Sequence, residues 1–175
     1  MRTVVLGPPP AELQALIARR QSLGLDGFDE VWKGEYHMAP MAHPFHGYLY
    51  NQVAVFLQPL VNRAELLSTA AFNLGERDNF RVPDGGIHRA LPNTVYVPTA
   101  ALVIEIESPD DETWEKLDFY AEHGVDEVLV VTRGSRSATW LVRDGDHYER
   151  ADHSRLLGPD SAGLASGIDW PPADA

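Results

Sequence analysis

The sequence predicts an α+β fold, α/β/α-like, in which a mixed β-sheet is flanked by helices and preceded by an N-terminal helix and a β-hairpin. Three observations carry this. Two apolar runs rich in β-branched residues, Ala100 to Glu107 and Glu127 to Thr132, are separated by one helical stretch, the spacing of a right-handed crossover between parallel strands. From Phe45 to Leu60, the residues Leu49, Val53, Phe56, Leu57 and Leu60 recur at three- and four-residue intervals, so a long helix can lay one apolar face on that sheet. Ser137 to Val142 and His147 to Arg150 flank Asp144-Gly145-Asp146, the pattern of a hairpin.

Taken in order, Ala11 to Gln21 follows the Pro8 to Pro10 punctuation and carries Leu13, Leu16 and Ile17 at helical spacing, with Gly24 as its stop. Phe28 to Lys33 and Glu35 to Ala39 read as a strand pair about Gly34. The region Pro40 to Pro44 is a loop before the long helix. Leu66 to Leu74 and Asn79 to Val82 are expected strands joined by Gly75-Glu76-Arg77-Asp78; a bend at Pro83-Asp84-Gly85-Gly86 and a loop from Arg89 to Pro98 follow. Ser108, with Pro109 next, opens a helix that should run to His123 and stop at Gly124. One domain over residues 1–175 is expected, with its core at about 28–150 and the tail 159–175 loosely ordered. Ser137 to Val142 is expected at a sheet edge, open to a partner. Trp114, Phe119 and Phe56 are expected in the core.

Composition narrows the function. With no cysteine, disulfides, thiolate metal sites and a cysteine nucleophile are excluded, and any metal ligand must be His, Asp or Glu. No run is long and apolar enough for a membrane span, so no membrane partner and a cytoplasmic location are expected. The formal charge of −12 repels polyanions at long range. Between Ile104 and Glu127 there are ten acidic residues and one basic residue, Lys116, one of the chain's two lysines.

Glu105 and Glu107 interrupt an otherwise apolar strand. Charged groups in such a run are costly unless paired or bound to a metal. Alternation places the two on one face, with Ile104 and Ile106 on the other. Asp84, before two glycines, can reach a sheet end, and on the following helix Lys116, Tyr120 and His123 share one stripe. Asp84, Glu105 and Lys116 would together offer oxygen ligands for Mg²⁺ or Mn²⁺, with an ammonium to stabilise charge on a phosphoryl oxygen. The bland alternatives are strand-end acids paired with arginine, a turn aspartate before Gly-Gly, and a solvated lysine four residues after Glu112.

At these residues the chain resembles a known family. Val-Pro-Asp84, Leu-Val-Ile-Glu105-Ile-Glu-Ser-Pro and Glu-Lys116-Leu-Asp-Phe-Tyr120, running on to Val131, resemble the Uma2 family of restriction-endonuclease-like proteins. This is a PD-(D/E)XK nuclease-fold family, formerly a domain of unknown function. The resemblance extends upstream through Trp32 to Pro40 and to His46. It implies a restriction-endonuclease-like sheet and a Mg²⁺-dependent (or Mn²⁺-dependent) phosphodiesterase site. Asp84, Glu105 and the Ile106 carbonyl would hold the metal, and Lys116 would take the role of the motif lysine, whose usual position is here Glu107. Glu107 and Glu35 are expected as further acidic site residues. Nucleic acid, DNA first, is the expected substrate, and a homodimer is expected by analogy. The rival readings are a catalytically silent or regulatory binding module that retains the nuclease fold, favoured by the charge, and a hydrolase of a small phosphate compound.

Overall fold

The structure, a computed structural model, describes residues 4–5, 10–39, 42–108 and 112–172. Its centre is a six-stranded sheet. The order across it is β12 (His147–Ala151), β11 (Ser137–Asp144), β10 (Glu127–Thr132), β9 (Leu102–Glu107), β7 (Gly85–His88) and β4 (Leu67–Ala70). Within this sheet, among the described residues, only the neighbours β9 and β10 run parallel, in register from Leu102 opposite Glu127 to Glu107 opposite Thr132. This is the crossover that the two apolar runs predict, since parallel neighbours need a helix between them.

A second sheet carries β1 (Val4–Val5), β3 (Glu35–His37), β2 (Glu30–Trp32), β6 (Asn79–Arg81), β5 (Asn73–Glu76) and β8 (Tyr96–Val97), in that order. The β2–β3 hairpin turns at Lys33-Gly34, both with positive φ, 50° and 88°. Glycine at the second of these sites relieves the strain that a Cβ would add.

Two apolar layers cover the central sheet. Leu49, Val53, Leu57 and Val61 of α2 (Pro44–Arg63) pack on Leu102, Ile104, Ile106, Leu129 and Val131, and α4 (Ser161–Gly167) adds Leu164. On the other face, Phe119 and Tyr120 of α3 (Leu117–Glu122) pack on Val103, Val128 and Val130 with Leu74 of β5. Strand alternation is the cause: even-numbered β9 residues face α2, and Val103 and Glu105 face α3. α1 (Ala11–Ser22) lies outside these layers and buries no residue fully.

Several expectations are corrected. The single strand expected from Leu66 to Leu74 is two, because the chain leaves the central sheet after Ala70 and enters the second one at Asn73. The Gly85-Gly86 bend is the start of β7, an interior strand. Glycine is poor in strands on propensity alone, but a Cβ on Gly85 would lie 2.5 Å from the Tyr50 ring, and one on Gly86 would collide with Phe72. Tyr50 and Phe72 fill the space that those side chains would need. Ser137 to Val142 is not an edge: β11 lies between β10 and β12, so the edges of this sheet are β12 and β4. Trp114 is not core but 40% exposed. Tyr96–Val97 adds a strand inside the expected loop.

The expected helix start at Ser108 falls partly on Pro109, Asp110 and Asp111, which lie outside the described residues. The described helix begins with one 3-10 turn, Thr113–Lys116, and α3 ends before Gly124, whose φ of 70° suits a glycine stop. Within the tail, Asp160 caps α4 by accepting from the Gly163 amide at 2.5 Å, and Leu164 and Ile168 join the core. Burying one such leucine contributes about 1.5–3 kcal/mol.

Candidate active site

The central strand places its acid by alternation. Glu105 points under α3, and only 3% of it is exposed. Lys116 and Tyr120, four residues apart across the junction of the 3-10 turn and α3, both reach it. The Lys116 Nζ lies 3.2 Å from Glu105 Oε1, and the Tyr120 hydroxyl donates to the same oxygen.

Asp84 stands at the mouth of β7, one residue before Gly85 pairs with Ile104 of β9. There β7 has not yet begun, so the next outward amide of β9 has no strand partner and turns to a side chain: Ile106 N–H donates to Asp84 Oδ2 at 2.7 Å. A strand residue sends its N–H and C=O to the same edge, so the Ile106 carbonyl opens toward Asp84 as well. The other Asp84 oxygen lies 2.7 Å from Nε2 of His46, and His46 Nδ1 lies 3.1 Å from Ser108 Oγ. Both ring nitrogens are therefore engaged, which fixes the imidazole in the first turn of α2.

The second sheet supplies a further acid. Glu30 Oε1 lies 3.1 Å from Lys116 Nζ and accepts from the Val82 amide at 2.7 Å, and Glu30 Oε2 accepts from Trp32 Nε1 at 2.6 Å. Trp32 is itself clamped. Arg81 sits between the Trp32 and Phe119 rings, 4.1 Å from each centroid, and His37 stacks on the far face of Trp32 at 4.4 Å.

Charge and burial then set the protonation states. Loss of water around Glu105 pushes its carboxyl up to about 8; Lys116 opposes this, and the nearby Asp84 charge adds to it. Tyr120 is held well above its usual range by burial and by the Glu105 charge, so it stays a hydrogen-bond donor. Burial pulls Arg81 down to about 10, and it still remains a cation at neutral pH. Glu105 and Glu30 flank one ammonium and Asp84 lies close enough to act on Glu105; with all three carboxyls ionised, the set would carry a formal excess of two negative charges. Such a set of oxygen donors with no sulfur suits a hard divalent cation, which would offset that excess.

The structure thus brings Asp84, Glu105, Lys116 and the Ile106 backbone together. Glu107 shares the Glu105 face, one step outward, where it accepts from Trp114 Nε1 at 2.9 Å and from Thr132 Oγ1 at 2.5 Å. Glu35 lies across the hairpin from Trp32, at the turn end, and the hairpin acid that reaches Lys116 is Glu30. The residues beyond the expected set are Glu30, Tyr120 and His46. Glu30 carried a readable signal: it is an acid in the same short strand as Val31 and Trp32, the anomaly that singles out Glu105.

A family model described as "Uma2: Putative restriction endonuclease" matches residues 28–168. A search of the curated proteins found no match. Among solved structures, the fold is similar to a crystal structure described as a "putative nuclease belonging to DUF820" from Anabaena variabilis. That match has a TM-score of 0.64 at 14% identity and covers 79% of this chain and 90% of the other. No helix of the described residues is long and apolar enough to cross a membrane.

Proposed function

The chain belongs to the Uma2 family, and from that premise we propose that it is a metal-dependent phosphodiesterase acting on nucleic acid, with Asp84, Glu105 and Lys116 as its working residues. The observation that carries this reading is the convergence of Asp84 and Glu105 beside one ammonium at the open end of β9. Asp84, Glu105 and the Ile106 carbonyl would hold Mg²⁺ or Mn²⁺. Held there, the cation would offer Lewis acidity to a phosphoryl oxygen and would lower the pKa of a water.

The chain's own residues do the positioning. Ile106 N–H and His46 fix the two oxygens of Asp84, so its carboxylate does not rotate away. Tyr120 orients Glu105. Lys116, steadied by Glu30, presents a fixed positive charge that would stabilise charge building on the phosphoryl oxygens. Glu107 acts in this reading as a bracket between Trp114 and Thr132. A homodimer belongs to the same reading by family analogy, with β4 and β12 as the open edges of the central sheet.

Asp84→Ala and Lys116→Ala should each abolish Mg²⁺-dependent or Mn²⁺-dependent cleavage of DNA or RNA. Unchanged activity in either purified, folded variant overturns the assignment. The rival reading, a silent binding module, draws on the −12 charge and on a Lys116 already engaged with two carboxylates. Calorimetric titration with Mg²⁺ and Mn²⁺ separates the two: no heat of binding at millimolar metal favours the rival.

A further inference from the structure

The carboxyl end of the parallel pair β9–β10 carries two aromatic–arginine pairs, one toward each face of the sheet. On the α3 face, Trp114 is held by its N–H to Glu107, and the Arg150 guanidinium lies 5.8 Å from its ring centroid. On the α2 face, Phe45, the residue before His46, lies 4.6 Å under the Arg133 guanidinium, which also reaches the Pro172 carbonyl at 3.0 Å. Glu107 and Thr132 stand between the two pairs and are bonded to each other. Crevices outside the carboxyl ends of parallel strands are where α/β sheets take ligands.

We propose that this rim is the platform for an unpaired nucleic-acid strand, with a base stacked on Trp114 and the flanking phosphates met by Arg133 and Arg150; this rests on the phosphodiesterase reading. Three relationships support it. Trp114 is 40% exposed, while Trp140 is fully buried and Trp32 and Trp170 are partly covered. Its indole N–H is fixed by Glu107, so the ring is presented in one orientation and little freedom is lost when a base stacks on it. Glu107 lies two residues beyond Glu105, an advance of roughly 6.6 Å along the strand. A base on Trp114 would therefore sit beside a backbone phosphate at Glu105 and Lys116.

The chain's charge selects the unpaired form. A duplex carries two strands of phosphate past an acidic surface, and its binding rests on many cationic contacts. An unpaired strand draws much of its affinity from stacking, which this rim offers, and needs fewer cations.

The test measures binding and cleavage on the full chain. Labelled single-stranded DNA, single-stranded RNA and the matching duplex are titrated by fluorescence anisotropy in EDTA, and cleavage is followed with Mn²⁺. Wild type should bind at least one single strand more tightly than the duplex, and the DNA and RNA arms show which sugar is preferred. Trp114→Ala should weaken single-strand binding on the order of 10-fold, with a rise in KM larger than the fall in kcat. Trp114→Phe, which keeps a ring and removes the N–H to Glu107, should restore most of that affinity. The platform is overturned if wild type cleaves but Trp114→Ala binds single strands as wild type does, or if duplex and single strand bind equally. A wild type that cleaves none of the three probes overturns the phosphodiesterase reading itself, and the platform with it.

Discussion

Glu30, from the second sheet, holds the ammonium of Lys116, from the crossover of the central sheet, at 3.1 Å. The same carboxylate accepts from Trp32 and from the Val82 amide, so its three partners come from three segments of the chain. Removing it leaves a buried cation with one partner fewer and a buried amide with none of its present acceptor. Glu30→Ala should therefore destabilise the fold by about 3–5 kcal/mol. Urea denaturation monitored by tryptophan fluorescence measures this, and a loss below 1 kcal/mol would show that the ion pair is replaceable by water.

Metal affinity should depend on pH through Glu105. Its carboxyl is pushed up to about 8 by burial, and in the proposed site the ionised form would be the ligand. Below that pH a cation must displace a proton, so affinity should rise with pH, by up to about tenfold per unit, and level off above 8. Calorimetry with Mn²⁺ at pH 6.5, 7.5 and 8.5, in two buffers of different ionisation enthalpy, counts the proton released. Tyr120→Phe deletes a donor to the carboxylate and should move the levelling point to higher pH. An affinity flat from 6.5 to 8.5 would contradict the assignment of Glu105 as a ligand.

His88 should make stability fall on the acid side of neutrality. It is 1% exposed, Nε2 lies 3.0 Å from Thr69 Oγ1, and burial lowers its pKa from the ordinary 6.5. The unfolded chain takes up a proton as pH drops below 6.5, while the folded chain resists until its own lower pKa is passed. More protons are bound by the unfolded state in that window, so stability declines as pH falls through it. His88→Asn should flatten the decline between pH 6.5 and 5, as read from urea midpoints at each pH.

Gly86 leaves no room for a side chain. Gly86→Ala would drive its Cβ into the Phe72 ring and against His88, in a strand between two others. The expected cost is about 1–3 kcal/mol, with a lower thermal midpoint. Because β7 also delivers Asp84, cleavage should drop together with stability. A variant as stable as wild type would show that Phe72 can swing away.

The parts of this molecule that follow from local pattern were readable in its sequence. The crossover, from Leu102 through α3 to Thr132, announces itself by two apolar strands and a glycine stop, and Glu105 stands out within it because a charge there needs a reason. β7 was hidden, since Gly85 and Gly86 favour a bend on propensity and become strand only through Tyr50 and Phe72, which are distant in sequence. α4 was hidden for a similar reason. Seven residues including Gly163 and Gly167 make a weak helix alone, and Leu164 packed under α2 and β11 sustains it. Glu30 escaped because hairpin acids are common, and only the docking of one sheet on the other brings this one to Lys116 while Glu35 stays at the turn.

The chain's passage from the central sheet into the second and back, through β4, β5, β6 and β7, has a kinetic consequence. The acids and the lysine come from positions 30, 84, 105 and 116; Asp84 is 38 residues from His46 and 22 from Ile106, and Glu30 meets Lys116 across a still longer stretch of chain. Pairings of that separation form late and slowly, because loop entropy is lost before contact energy is gained. No fragment ending before Lys116 contains the whole constellation, so a growing chain would emerge without an assembled centre. The same wiring makes the centre sensitive to partial opening: if the hairpin β2–β3 peels away, Lys116 loses Glu30 while the central sheet stands. Competence would then be lost before the fold is.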